Sequence, residues 1–240
     1  QLGTGHAVKQ TLPSLRPNSC VVVLSGDGPL VRIKTLKKLI SRTSRDNLSL
    51  LTFEASNPKG LGRIIRQTNS KVAGIVEEKD ASASERKITE VNSGIMATSS
   101  KNLKSWLPKL KNKNATKEYY LTDVVSCCHN EKKRITAINL VDSEELLGAN
   151  DAQELQNIER IYQKEIAKSF MEKGVKFADV NRVDFRGEIN IGKNVFIDIN
   201  VVLQGSVSIG NDCTISAGAV IKDSKSVSYT HLPLPTIHLV

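Results

Sequence analysis

Aromatic residues are scarce: they make up 4% of the 240 residues, so any core must be built mainly from Leu, Ile, Val and Ala. No apolar run approaches the ~20 residues needed to span a bilayer, which argues against a membrane partner. An initiator Met is lacking, and so is the charged-then-apolar pattern of a signal sequence, because the chain opens on Gln1-Leu2-Gly3-Thr4. The native N-terminus is therefore expected to lie upstream. Cysteine is limited to Cys20, Cys127, Cys128 and Cys213, at spacings that match no zinc pattern. The adjacent Cys127-Cys128 pair makes no conventional bridge, so free thiols in a reducing cytoplasm are expected. The net charge of +9 permits a nucleic-acid partner. Its basic residues, however, fall in dispersed clusters such as Lys37-Lys38, Lys109 to Lys113 and Lys132-Lys133-Arg134, without the interleaved aromatics of a stacking platform. Anionic small substrates account for the same bias, and no nucleic acid is expected.

What is present divides by periodicity. Residues 1–149 alternate short apolar strands with amphipathic helices, the pattern of an α/β layer fold. Val21-Val22-Val23-Leu24 reads as a buried parallel strand that leaves the sheet through Ser25-Gly26-Asp27-Gly28-Pro29. Leu36, Leu39 and Ile40 repeat at helical spacing, with Thr35 placed to cap. Leu48, Leu50, Leu51 and Phe53 give a further strand. Leu103, Trp106, Leu107 and Leu110 form a helical stripe in which Pro108 must sit early or kink the helix. Residues 150–174 predict one long connecting helix, with Leu155, Ile158, Tyr162, Ile166 and Phe170 on one face, a cap at Asn150 or Asp151 and a stop at Gly174.

From residue 175 to 225 the period becomes six. Phe185, Ile191, Ile197, Leu203, Ile209, Ile215 and Ile221 recur at that interval, with Ile189, Val195, Val201, Val207, Cys213 and Ala219 in the fifth place. Two apolar positions per six residues, joined by Gly, Asn, Asp and Ser, describe short strands with tight corners, and three such strands close a triangular coil. An antiparallel meander is the alternative, but it does not require one fixed period over seven successive hits. The segment holds about two coils, fewer than the roughly three that a solenoid needs. Residues 226–240 carry no charge, leave the six-residue frame and bring in two prolines, so they are expected to be a non-native tail.

Candidate chemistry begins with Asp27, a carboxylate just past a strand end, where open α/β sheets bind ligands. One carboxylate, one neutral oxygen and the oxygens of phosphate and water are the usual Mg²⁺ shell. Gly-Asp-Gly-Pro is equally a plain turn. Gly3-Thr4-Gly5-His6 offers backbone N–H groups to a base or phosphate, or is an ordinary loop. Glu77 is suited to accept a sugar hydroxyl, or is a surface Glu. His6 and His129 lack catalytic partners and read as structural or solvent-exposed.

The order of segments is more specific than any one of them. Gln1 to Ala7, Gly26-Asp27-Gly28-Pro29-Leu30, Gly60-Leu61-Gly62-Arg63-Ile64, Ile75 to Ala81, Glu90 to Ile95, Glu118-Tyr119-Tyr120-Leu121-Thr122-Asp123, Gly148-Ala149-Asn150 and the hexapeptides follow one another. Together they resemble the bacterial bifunctional N-acetylglucosamine-1-phosphate uridyltransferase and glucosamine-1-phosphate acetyltransferase family, over residues 1–225. The resemblance implies an N-terminally truncated, Rossmann-like nucleotidyltransferase domain (1–149), the connecting helix (150–174) and the start of a left-handed parallel β-helix (175–225). It implies a Mg²⁺-dependent uridylyl transfer from UTP to N-acetylglucosamine 1-phosphate, giving UDP-N-acetylglucosamine for peptidoglycan and lipopolysaccharide supply. Gly3 and Thr4 would contact the uracil nucleotide, and Ser25, Gly26 and Asp27 would lie along the nucleotide and metal. Gly62, Glu77 and Asn92 would hold the N-acetylglucosamine moiety, with Thr122 a phosphate or sugar neighbour. Asp27, the residue expected to be catalytic, and Asn150 would be the two protein ligands of Mg²⁺.

The chain departs from the family pattern in several places. Ser25 stands where many members have Tyr, and Ala149 where Val is common. The glycine-rich L-x-x-G-x-G-T-R-M segment and its Pro-Lys, which supply the triphosphate cradle, would precede residue 1. Most of the β-helix, with the acetyl-transfer and acetyl-CoA sites, would follow residue 225. The fragment is therefore expected to be inactive, and a homotrimer is expected of the full-length protein. A hexapeptide acyltransferase and a non-catalytic assembly module are the rival readings.

Overall fold

The computed structural model describes residues 2–229 and 231–232. The chain divides into two compact units, residues 1–149 and 150–240. In the first unit the helices are α1 (Thr4–Gln10), α2 (Ile33–Ser41), α3 (Ser100–Trp106) and α4 (Asp123–Asn130). The last three pack on one sheet made from β1 (Cys20–Val23), β2 (Asn47–Glu54), β3 (Arg63–Arg66), β4 (Val72–Val76), β5 (Glu90–Ser99) and β6 (Arg134–Leu140), while α1 packs against the 3₁₀ turn at Leu107–Lys109. The sheet order is β4-β3-β5-β2-β6, with β1 also paired to β5.

The strand at Val21–Val23 is present, but its direction corrects the expectation. It pairs with β5 antiparallel, Cys20 opposite Ser99 and Val23 opposite Met96. Its valines are half-buried rather than fully enclosed. Among the paired strands of this unit only β2 and β6 run parallel. An apolar run records burial and carries no mark of direction, so this detail was beyond the pattern.

Two apolar layers enclose the sheet. One contains Leu48, Leu50, Met96, Leu103, Trp106, Leu107, Val124 and Val125; the other contains Leu39, Leu51, Phe53, Val91, Ile95 and Ala97. Strand alternation sends Leu50 and Leu51 to opposite layers. The 103–110 stripe is buried as expected, and Pro108 is accommodated because α3 ends at Trp106 and a short 3₁₀ turn takes over at Leu107. Thr35 does not cap α2. It lies inside the helix, buried, and donates its hydroxyl to Glu145 Oε1 at 3.0 Å.

In the second unit α5 (Ala152–Met171) starts at Asp151, whose carboxylate accepts from the Glu154 N–H at 2.8 Å. Gly174 follows its end with φ +94°. Ile158, Ala167 and Phe170 are buried, Ile166 is half-buried, and Leu155 and Tyr162 are exposed, contrary to expectation. The buried face is instead completed by Gln163, whose amide accepts from the Phe185 N–H and donates to the Phe185 carbonyl, at 2.7 and 2.9 Å.

The coil that follows is built from β7 (Lys176–Phe177), β8 (Val183–Ile191), β9 (Phe196–Ile197), β10 (Val201–Ile209), β11 (Thr214–Ile215), β12 (Val220–Lys222), β13 (Lys225–Ser226) and β14 (His231–Leu232). All its pairings are parallel. Phe185, Leu203 and Ile221 stack in register, as do Ile197 and Ile215, so one coil takes 18 residues. These side chains and Val195, Val201, Val207, Cys213 and Ala219 are buried together. Asn194, Asn200 and Asp212 turn corners at positive φ, and Asn194 Nδ2 bonds Asp212 Oδ1 one coil on, at 2.9 Å. The frame breaks slightly before Ser226. Ile209 pairs with Ser226, a step of 17, and Ser224 is buried where the six-residue frame would put Lys225. Burying an unpaired ammonium is costly, so the chain drops one residue there and keeps Lys225 in water. What was expected of residues 233–240 lies outside the described residues.

Ile197, fully buried between its coil neighbours, is predicted to cost about 2–5 kcal/mol when cut to Ala. Val220→Ala on the exposed face is predicted to change stability by less than about 0.5 kcal/mol. Urea unfolding of both variants provides the comparison.

Candidate active site

The β3–β4 hairpin sets the site. Arg63 pairs with Val76, which leaves Gly62 and Glu77 side by side just beyond the paired ends. A Cβ on residue 62 would stand 2.9 Å from Ile75 Cγ2 and 3.3 Å from Glu77 Oε2, so any larger residue would have to push Ile75 and this carboxylate aside. β5 passes on the other side, and the Asn92 N–H donates to the Gly62 carbonyl at 2.8 Å. Thr122, at the start of α4, donates its hydroxyl to Glu77 Oε1 at 2.7 Å. Four residues expected from separate segments thus share one cluster.

That cluster is rich in acceptors. Asn92 Oδ1 is buried without a partner, and a buried acceptor left unpaired costs roughly 1–3 kcal/mol. Glu77 is half-buried, with one oxygen engaged by Thr122. Such a site is suited to a neutral polyol that brings its own hydroxyl and amide donors.

Two arms extend from it. In the first, Leu121 N–H donates to Thr4 Oγ1 at 3.1 Å and Gly5 N–H donates to the Tyr119 carbonyl at 2.8 Å, which ties the opening Gly3-Thr4-Gly5 to the Thr122 segment. In the second, Ser25 Oγ lies 2.5 Å from where a Cβ on Gly94 would project, two residues along β5 from Asn92. Gly94 has φ +79°, a conformation that glycine adopts without strain. Gly26 faces open space, and Asp27 is exposed. The Asp27 carbonyl accepts from Ala149 N–H at 3.1 Å, while its carboxylate has no partner among the described residues. A Cβ on Gly148 would stand 3.3 Å from that carboxylate.

Asn150, covalently next to Ala149, opens the second unit. Its N–H and Nδ2 both donate to Glu154 Oε2, at 2.8 and 3.1 Å, and its Oδ1 has no partner among the described residues. The Asp27 carboxylate, within the first unit, is a hard oxygen donor of the kind a divalent cation accepts. No group of three or more His, Cys, Asp or Glu able to hold a metal occurs among the described residues.

Charges around the cluster are partitioned where the chain leaves β4 and enters a turn. Glu78 turns away from Glu77 and accepts from Arg63 Nη2 at 2.5 Å; Arg63 also donates to the Leu61 carbonyl. The hydrogen bond from Arg63 holds the Glu78 carboxyl below its ordinary range. Arg63 is 1% exposed, and the sequence reading missed it; the Gly-Arg-Ile-Ile run, with one cation entering an apolar strand, was the available signal. Asp123, beside Thr122, was likewise not singled out. Burial, then the carboxylates of Glu77 and Asp80, push its carboxyl up.

Residues 188–223 match the family model "Bacterial transferase hexapeptide (six repeats)". The chain thus joins an α/β layer unit to a hexapeptide coil. It is 46% identical over 224 residues to the "Bifunctional protein GlmU" of Nitrosococcus oceani, covering 93% of this chain and 49% of that protein. The proteins of the same name from Legionella pneumophila subsp. pneumophila (47% over 220 residues, 90% and 48% covered) and Baumannia cicadellinicola (46% over 224 residues, 93% and 48%) are similarly related. Across nine-tenths of its length the chain is a relative of the bifunctional GlmU proteins, as the order of its motifs indicated, and it spans about half the length of the curated relatives it matches. A solved Bacillus anthracis structure in complex with a sucrose is 18% identical, with a TM-score of 0.48 over 65% of this chain and 59% of that one, too loose to carry an argument. No helix among the described residues is long and apolar enough to cross a membrane.

Because its folded-state carboxyl is raised, Asp123 contributes favourably only below the unfolded value, and that contribution is lost as pH rises through the folded one. Asp123→Asn is therefore predicted to raise the urea midpoint at neutral pH, with the gain disappearing as pH falls below the carboxylate range.

Proposed function

We propose that the first unit carries the sugar-phosphate side of a nucleotidyltransferase site, which joins a uridylyl group from UTP to N-acetylglucosamine 1-phosphate and releases pyrophosphate. The observation that carries this reading is the cluster of Gly62, Glu77, Asn92 and Thr122, with its buried, unpaired Asn92 oxygen. Glu77 and Asn92 accept from the sugar's hydroxyl and amide groups, Gly62 admits the ring close to the backbone, and Thr122 fixes the Glu77 rotamer. Gly3 and Thr4 serve the uracil nucleotide, held beside Thr122 by the Leu121 bond. Ser25, Gly26 and Asp27 lie along the phosphates.

In this reaction a phosphate oxygen of the sugar 1-phosphate attacks the α-phosphorus of UTP in line, and the bond to pyrophosphate breaks. No side-chain nucleophile is required, because such transfers rest on positioning and charge neutralisation. Asp27 and Asn150 would hold Mg²⁺ through their free oxygens. When bound there, the ion neutralises charge on the phosphate oxygens. The chain's own part is to fix the sugar phosphate so that its oxygen faces the nucleotide.

The hexapeptide match favours a second, acyl-transfer activity in the whole protein, with acetyl-CoA as donor and glucosamine 1-phosphate as acceptor. The products would supply cell-wall precursors in the cytoplasm, and the coil would mediate a homotrimer.

Calorimetric titration with N-acetylglucosamine 1-phosphate tests the sugar site. Glu77→Gln is predicted to weaken binding about tenfold or more, the scale of a lost charge-assisted hydrogen bond. Unaltered affinity in a folded Glu77→Gln chain refutes the assignment. Asp27→Asn is predicted to leave sugar-phosphate affinity alone and to abolish the Mg²⁺-dependent part of UTP binding.

A further inference from the structure

At the far end of the same hairpin and the same helix lies a groove of about 1040 Å³. The β3–β4 turn forms one wall with Arg66 and Lys71; the end of α4 and the start of β6 form the other with His129, Lys132, Lys133 and Arg134. Arg66 lies four residue steps along β3 from Gly62, about 13 Å of strand, and the eight residues of α4 span about 12 Å. The groove is thus a place apart from the Glu77 cluster.

Its charge is one-sided. Five of its lining residues are Lys or Arg, and none is Asp or Glu. Arg66 is committed to Glu90, and Lys133 to Glu131 at 2.9 Å and to Asn102. The side chains of Lys71, Lys132 and Arg134 have no hydrogen-bond or ion-pair partner among the described residues. Amides and hydroxyls fill the remaining polar lining, including Gln67 and Thr136. A basic patch on a chain of net charge +9 is usually just solvated surface. Here the two basic segments, more than 60 residues apart in sequence, are folded into opposite walls of one cavity of small-ligand size.

We propose that this groove is a second anion site, which takes a polyphosphate (pyrophosphate, or the polyphosphate of a nucleotide) through its phosphate oxygens alone. Arg134 offers a planar fork, and Lys71 and Lys132 offer point charges, the two kinds of donor that phosphate oxygens accept from. No Phe, Tyr or Trp lines the groove, and its one aromatic ring, His129, is engaged by Gln67, so a base or a single-stranded nucleic acid would find no row of rings to stack on. Bringing like charges together in one cavity disfavours the empty fold, and an anion that binds only the folded chain offsets that cost. The proposal does not depend on the uridylyl-transfer reading.

The test is titration of the chain with pyrophosphate in metal-free, low-salt buffer, followed by calorimetry and by amide shifts of isotope-labelled protein. The expected result is saturable binding with shifts at Lys71, Lys132 and Arg134, weakened about tenfold or more in the K71A/K132A/R134A variant and unchanged in Glu77→Gln. If the triple variant does not fold, the single variants Lys71→Gln and Lys132→Gly, the latter at a position of φ +55°, each show a smaller loss of the same sign. UDP carries the diphosphate with a base; if only phosphate is read, UDP is expected to shift Lys71, Lys132 and Arg134 with the same midpoint as pyrophosphate, whatever it does at the Gly3-Thr4 segment. Binding unaffected by these substitutions, no saturable binding, or a mixed-sequence RNA binding where pyrophosphate does not, overturns the proposal.

Discussion

One strand governs where the candidate site forms. β5 hydrogen-bonds to β1, β2 and β3, so its backbone fixes three other segments at once. Its Asn92 N–H holds the Gly62 carbonyl, and its Gly94 leaves the space that Ser25 occupies. The Gly62–Glu77 cluster and the loop carrying Asp27 therefore hang on alternate positions, 92 and 94, of a single strand. With Val91, Ile95, Met96 and Ala97 all buried, that strand cannot shift without disturbing both apolar layers. The site is preorganised by the core beneath it.

Ion pairs secure the hairpin that completes the cluster. Arg66 is bonded to Glu90 through two nitrogens, and burial of Glu90 is outweighed by bonds from Arg66 and Thr52, which hold its carboxyl low. Arg63 is almost wholly buried against Glu78, with its Nε unpaired. Buried pairs of this kind contribute little net stability, but removing one partner leaves an isolated charge at high cost. Their effect is to fix register, so that Glu77 points to Thr122 while its neighbour Glu78 points to Arg63.

The features legible in the sequence were those with a period or a fixed order. The six-residue repeat revealed the coil because a solenoid repeats its interior position every turn, and the observed register of Phe185, Leu203 and Ile221 follows that repeat. The long helix showed through its cap and stop, although Leu155 and Tyr162 lie outside its buried face, where the amide of Gln163 makes the inward contacts. The direction of β1 was hidden because apolar content is blind to polarity of the chain. Thr35 resembled a cap in isolation and proved to serve Glu145, more than 100 residues away. The basic groove was invisible for the same reason: Lys132-Lys133-Arg134 reads as a solvated cluster until the hairpin tip is folded against it. Order along the chain, by contrast, did suggest Gly62, Glu77, Asn92 and Thr122 together, and folding makes them neighbours.

The central claim is that these four residues form one receptor for an N-acetylated sugar phosphate. Amide-shift mapping of the isotope-labelled chain, titrated in parallel with N-acetylglucosamine 1-phosphate and with inorganic phosphate, addresses it most directly. The account predicts that the sugar phosphate alone perturbs Gly62, Glu77, Asn92 and Thr122 at saturation. Perturbations identical for the two ligands, or absent from all four positions, contradict it.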